Sequence, residues 1–327
     1  MMYLLTHWPV VSTAFLAQKK AKDKLKVGLG TLLFPRQTAR WLRFLHSHPG
    51  MAGLARANPR LLYKIYRPYL SNRLACGARV DLLIGHYGLL FDAGARPILE
   101  AAARRPLALA TVQGKDESQY SLHLSAINDG HREGELCLKL VADGVALYSV
   151  SFTLAQEHGR RYIKIGSLQG IRSEHGAQWI KQATRNLHGC RPKNLLVAVV
   201  RDIGAYFACA GTILVSNRNR VAINWQRRRR ILADYDDMWR EMQASERADG
   251  DFALSCSGIL PVDFDSVPSK KRSEAKKRAA LQQSIFDATR QCLDALRGVA
   301  IALPKAAPCA VAGTGVMLAT DEFKPTA

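Results

Sequence analysis

The residues able to do chemistry gather in a few short stretches. The stretch best suited to binding is Tyr162–Gly176, and within it Gly166, Gln169, Gly170, Arg172 and Gly176 stand out. An apolar run passes there through glycines into a helical pattern. Glycine lets the backbone turn tightly and approach a bound group, and free N–H groups at a helix start favour an anion. Arg172 would add a positive charge. The spacing Gln-Gly-x5-Gly is neither a Walker A loop nor a dinucleotide-binding fingerprint. Two readings stay open, a phosphate site and an ordinary strand-to-helix turn. Glu133 and Glu135 flank Gly134 at the entrance to an apolar run. They read as hairpin surface charges or as a general base at a sheet rim.

Basic stretches form a second group. From Asn217 to Arg230, six arginines (Arg218, Arg220 and Arg227–Arg230) occur in fourteen residues without an acid, with Trp225 among them. Arginine with an interleaved aromatic suits single-stranded nucleic acid. The plainer reading is a solvated loop, or arginines paired with Asp234, Asp236 and Asp237. Lys270-Lys271-Arg272 and Lys276-Lys277-Arg278 suit a polyanion or a membrane surface, or simply a solvated helix face. Nine histidines show no metal-ligand spacing. No GxSxG marks a serine nucleophile.

The elements that must position these residues can be read from pattern. The chain has 327 residues, 48% apolar and 23% charged, enough for a sizeable core. Its 47 Lys and Arg against 27 Asp and Glu give a formal +20 and a pI near 9.9, so polyanions should be attracted. Seven cysteines hold no CxxC pair and read as buried free thiols of a reducing compartment. The apolar opening Met1–Ala17 is interrupted by His7, Pro9, Ser12 and Thr13. No basic region precedes it and no run reaches ~18 apolar residues, so neither a signal peptide nor a membrane span is expected. The expected location is cytoplasmic, with peripheral contact at the inner membrane left open.

Residues 36–104 read as helical, with Trp41, Leu42, Phe44 and Leu45 on one stripe and a further helix over Leu61–Leu74. Five short runs come next, at Leu107–Gln113, Tyr120–Asn128, Glu135–Val141, Ala146–Leu154 and Tyr162–Leu168. Gly114, Asn128-Asp129-Gly130, Asp143-Gly144 and His158-Gly159 separate them, which predicts a meandering antiparallel sheet. Helices are expected at Ala177–Leu187, Leu195–Ala208, Tyr235–Ser245 and Ser269–Leu296, the last basic and surface-lying, and a strand at Thr212–Val215. The fold class is therefore α/β (α+β), a mainly antiparallel sheet flanked by helices. The divisions are a helical region 1–105, an α/β core 106–265, a basic helix 266–302 and a loosely ordered tail 303–327.

Several ordered segments carry a resemblance. They are His86-Tyr87, Arg132-Glu133-Gly134-Glu135-Leu136, Ile165–Gly170, Leu187-His188-Gly189-Cys190-Arg191-Pro192-Lys193, Val215-Ser216-Asn217, Tyr235-Asp236 with Trp239 and Glu241, and Ser269–Arg272 with Lys277-Arg278. Over roughly residues 80–285 the chain resembles the bacterial VirK/YbjX family, departing from it at Ser167, where the family tends to have Cys, and at Ile171, where it tends to have Pro. The resemblance implies a bacterial cytoplasmic protein linked to virulence, envelope remodelling or resistance to cationic antimicrobial peptides. The order of elements also looks like the acyl-CoA N-acyltransferase superfamily, whose turn after the central strand holds the CoA pyrophosphate. That likeness implies an acyl-CoA or acyl carrier protein thioester on Gln169, Gly170, Arg172 and Gly176. It also implies Glu133 or Glu135 as the base and Tyr235 as the acid for the leaving thiolate. Partners of this reading are acyl carrier protein or an envelope glycolipid. The alternative is a non-enzymatic protein that binds RNA or another polyanion.

Overall fold

The structure, a computed structural model, describes residues 21–126, 132–221, 234–256, 265 and 267–298. It opens with helices α1 (Ala21–Leu33), α2 (Pro35–Ser47) and α3 (Pro49–Ala57), a 3-10 segment η1 (Pro59–Tyr66), then α4 (Cys76–Asp92) and α5 (Arg96–Arg104). Pro35, Pro49 and Pro59 each open an element. Their missing N–H and fixed φ suit a first helical position. The expected α2 stripe is there, with Trp41, Leu42 and Leu45 buried. The helix expected over Leu61–Leu74 is only η1. Beyond it Tyr69 and Ser71 form isolated bridges, Ser71 reaching Arg220.

Among the described residues the sheet has eight strands in the order β1-β2-β3-β4-β5-β6-β8-β7. They are β1 (Leu107–Gln113), β2 (Gln119–Ala126), β3 (Leu136–Ala142), β4 (Val145–Glu157), β5 (Arg160–Gly170), β6 (Gly211–Leu214), β7 (Ser245–Glu246) and β8 (Phe252–Leu254). All pairings are antiparallel except β5 with β6. Asp143 and Gly144 have φ of 48° and 84°, and His158 and Gly159 have 48° and 77°. Two positive φ values in a two-residue turn match the right-handed twist of the strands they join. The Asn128-Asp129-Gly130 turn lies outside the described residues.

Helices α6 (Gly176–Asn186) and α7 (Pro192–Tyr206) make the crossover between β5 and β6, as a parallel pair requires. Helix α8 (Tyr235–Glu241) comes next, then α9 (Ser269–Arg297). Two expectations change here. The helix predicted to Ser245 stops at Glu241 and gives way to β7. And α9 is surface-lying only in its first half. Ile285, Phe286, Thr289, Cys292 and Leu293 are buried, packing toward β1 and α7, and Arg290 makes a two-pronged ion pair with the buried Asp202 of α7. One apolar cluster runs from Trp41 and Tyr87 through Phe152 and Ile165 to Leu293. All six described cysteines are free and buried, and burial pushes the Cys190 and Cys209 thiols up to about 11 and about 12.

Candidate active site where two parallel strands part

Strands β5 and β6 stay paired only from Tyr162 opposite Gly211 to Ile165 opposite Leu214. A last bond joins the Val215 N–H to the Ile165 carbonyl at 3.0 Å. Beyond this point β5 carries a bulge at Gly166, because Ser151 pairs with Ser167 while Phe152 pairs with Ile165. A bulge bends its strand and re-aims the residues beyond it. β5 then runs on beside β4 to Gly170, with its far edge parted from β6. Alternation puts the N–H and C=O of Leu168 and Gly170 on that parted edge.

Tyr235 occupies the edge at Leu168. Its hydroxyl accepts from the Leu168 N–H at 3.0 Å and donates to the Leu168 carbonyl at 3.2 Å. The residue is held through both its backbone and its ring. Its own N–H donates to Asn217 Oδ1 at 3.0 Å, and the Arg220 guanidinium lies 4.7 Å over the ring. Asn217 in turn donates its backbone N–H to Asp236 at 2.7 Å and its side-chain amide to Asp234 at 2.6 Å. The acids therefore fasten the segment after β6 through Asn217. Asp237, the third acid expected to face arginines, pairs with Arg240. Arg227–Arg230 and Trp225 lie outside the described residues.

Two glycines bring Glu133 to the same place. A Cβ at Gly134 would lie 2.5 Å from the Phe152 nitrogen. One at Gly166 would collide with the Glu133 carbonyl and come within 2.9 Å of Leu70 Cδ1. The segment 132–135 is thus pressed flat on β4 and β5. Glu133 is half-buried, and burial pushes its carboxyl up against the opposing pull of Arg132, Lys64 and Arg172. Burial likewise raises the Tyr235 phenol, and the Glu133 charge adds to the rise.

The other predicted residues divide. Gln169 and Gly170 lie in β5, opposite Ser149 and Tyr148, rather than in the turn, which is confined to residues 171–175. A Cβ at Gly170 would sit 3.0 Å from the Tyr148 ring. Arg172 is exposed in that turn. Gly176 is buried where a Cβ would meet Ile171 at 2.9 Å, and its N–H is spent on the Ser173 carbonyl at 3.0 Å. Its service is to the tight turn, and any anion at this helix start would meet later N–H groups.

Glu135 is a correction. It is neither a surface charge nor a rim base, because its side chain is wholly buried, ion-paired with Lys64 and accepting from the Tyr87 hydroxyl. Burial alone would raise its carboxyl. The Lys64 charge, His86 and the two hydrogen bonds outweigh that and hold it below the usual range. Burial, reinforced by Glu135, pushes the Tyr69 and Tyr87 phenols well up. His86 lies in the same cluster. Its Nδ1 accepts from the Leu154 N–H at 3.0 Å, which assigns the proton to Nε2, and burial lowers its pKa to about 4. Leu154 lies past the end of β3, whose pairing stops at Leu136 opposite Phe152. His86 and Tyr235 thus do one job at two places, satisfying the backbone where a neighbouring strand has stopped.

Sequence reasoning missed the linker that walls the site. Leu70 donates its N–H to the Arg132 carbonyl at 2.6 Å, and Asn72 donates its own to the Asn219 carbonyl at 2.8 Å. Leu70 holds a φ of 56° while 2% exposed, and no residue type announces such a conformation in a leucine. Lys64 was equally hidden, since its sequence neighbourhood looks like any helix surface.

The fold and site define a class: an α/β protein whose mostly antiparallel sheet parts at one parallel pair, with the half-buried Glu133 beside the gap. Residues 17–291 match the family model described as "Protein of unknown function (DUF535)". The chain belongs to that family. It is 28% identical over 262 residues to the uncharacterized protein YbjX of Escherichia coli K12, covering 79% of each chain. An uncharacterized protein of Haemophilus influenzae Rd is 22% identical over 261 residues, covering 80% of this chain and 87% of that one. The YbjX part of the resemblance is thereby established. No solved structure matches the chain. Among the described residues no helix is long and apolar enough to cross a membrane.

Proposed function

We propose that the gap between β5 and β6 holds an acyl thioester, from acyl-CoA or an acyl carrier protein, and that the chain transfers the acyl group to an amine or envelope-related acceptor. The observation behind this reading is the bulge at Gly166 with the parted strand edge beyond it, which leads into the start of α6. Such an edge offers the Gly170 N–H to a thioester, since the Leu168 N–H is taken by Tyr235, and the helix start offers N–H groups to its phosphates. Gly170 lies on the edge, with Gln169 next to it in β5. Arg172 stands beside the turn, and Trp179, 37% exposed, offers a face to a base.

In this reading Glu133 accepts the proton of the acceptor amine, a task its raised pKa suits. The amine nitrogen bonds to the thioester carbonyl carbon, the C–S bond breaks, and the sulfur leaves with the Tyr235 proton. The phenol turns from the Leu168 carbonyl to the sulfur to do so, and solvent restores its proton. The net charge of +20 favours an acidic carrier or acceptor. An envelope acceptor would make resistance to cationic peptides the physiological readout.

The test is thermal unfolding with acyl-CoA. At about 100-fold its Kd a ligand should raise Tm by roughly 4–6 °C. Arg172→Ala should weaken that shift, and Glu133→Gln should keep it while lowering turnover by about 10²–10⁴. No shift across short and long acyl-CoA and an acyl carrier protein thioester would sink the reading.

A second reading, binding of RNA or another polyanion, is favoured by Lys270, Lys271, Lys276 and Lys277, all exposed on α9. Changing the four to alanine should flatten the log–log salt dependence of single-stranded RNA binding by roughly 3. An unchanged slope would remove α9 from the interface.

A further inference from the structure

Helix α1 carries two faces, and the fold uses one. Val27, Gly30 and Thr31 face inward. Gly30 leaves no room for a side chain, since a Cβ there would lie 2.5 Å from the Tyr66 ring. Thr31 shares a hydrogen bond of 3.3 Å with the Tyr66 hydroxyl. The opposite face carries Leu25, Leu29, Leu32 and Leu33, which are 62%, 51%, 74% and 71% exposed. Offsets of four, three and one place them in a single stripe. The only other large apolar side chains exposed among the described residues are Val145 and Trp179, which lie apart. A helix already seated through one face has no structural need of a leucine stripe on the other.

The charges around the stripe say what would cover it. At 3.6 residues per turn, Lys24 and Lys26 fall to either side of the leucines. The Lys26 ammonium lies 5.6 Å over the Tyr63 ring. Lys19, Lys20 and Lys22 precede them, and the upstream sequence Met1–Ala17 is itself mainly apolar, with Trp8 and Phe15. A protein interface has a core depleted of lysine. Leucines bordered by lysines instead match a bilayer surface, where apolar side chains enter the acyl boundary and ammonium groups reach the phosphates. The overall +20 adds attraction to an anionic leaflet.

We propose that α1 is an interfacial anchor that seats this chain on an anionic bilayer through Leu25, Leu29, Leu32 and Leu33. This stands apart from the acyl-transfer reading and survives its failure. The test is flotation of the full chain with vesicles of phosphatidylethanolamine and phosphatidylglycerol, against vesicles of phosphatidylcholine alone. The anionic vesicles should bind at least about tenfold more tightly, and added salt should weaken binding. Leu29→Glu/Leu32→Glu/Leu33→Glu should lose about tenfold or more, and an unchanged Tm will show that the fold is intact. Should Tm move, Leu32→Glu alone, at the most exposed position, gives the same reading. Equal flotation of variant and parent overturns the proposal, as does absence of flotation. So does a dimer that the triple variant dissolves, which would mean that a second copy covers the stripe.

Discussion

Glu133 and Glu135 stand two residues apart and live in different chemistry. Glu133 is half-buried beside the gap with its pKa raised, while Glu135 is sealed against Lys64 with its pKa lowered. The difference is one of partners. Removing one partner of a buried pair leaves the other charge uncompensated, so Glu135→Gln should cost about 3–5 kcal/mol in urea unfolding at pH 7. His86 sets a pH dependence in the same cluster. Its folded pKa is about 4 against an unfolded 6.5, so between those values the unfolded chain binds more protons. Stability should fall as pH drops from 6.5 toward 4, by up to about 3 kcal/mol. The lowered Glu135 value acts in the same sense, its contribution being lost as pH falls through its folded pKa. In His86→Phe the first slope should vanish, and urea midpoints between pH 4.5 and 7 will show whether it does.

At the scale of elements, the site depends on how closely a loop can lie on a sheet. Gly134 and Gly166 let the 132–135 segment touch the β4 and β5 backbones, since a Cβ at either would meet main-chain atoms. Backbone cannot swing aside as a side chain can. Gly166→Ala should therefore destabilise by about 1–3 kcal/mol or more and displace Glu133. Measured together, urea unfolding and the acyl-CoA shift will separate the two effects. An alanine variant of parental stability would show that the segment does not lie on the bulge. The connectors show the same economy. Arg191 and Lys193, before and within α7, both pair with Glu241 at the end of α8. Two sequence segments that look unrelated thus hold one corner.

At the scale of the molecule, the segments before β1 are built into the core and the site. They supply Lys64, Tyr69, His86 and Tyr87 to the Glu135 cluster, and the Leu70–Asn72 linker to the wall of the gap. Unfolding should accordingly be one cooperative transition, with far-ultraviolet circular dichroism and tryptophan fluorescence coinciding. The buried Trp41 in α2 and Trp239 in α8 report from two different elements of the core. Two separated transitions would contradict the single core.

Much of the sheet was legible because its signals are local. Alternation and glycine-bearing turns located β1 to β5 to within a few residues, and the two-residue turns Asp143-Gly144 and His158-Gly159 show the φ values such turns need. The helix at α6 was equally readable from the spacing of four through Trp179, Ala183 and Leu187, although Trp179 stands 37% exposed. The burial of the second half of α9 was masked by the lysines of its first half, and β7 and β8 are too short to show a period. Residue types marked Glu133, Glu135 and the glycines as worth attention, the family likeness added Tyr235, and composition established the basic character. Tertiary structure decided their roles, because burial and partner choice depend on residues far away in the chain. Lys64 reaches Glu135 across 71 positions, and Tyr235 reaches Leu168 across 67. No local pattern records which charge meets which, and that meeting separates the sealed Glu135 ion pair from the half-buried Glu133, whose pKa burial raises.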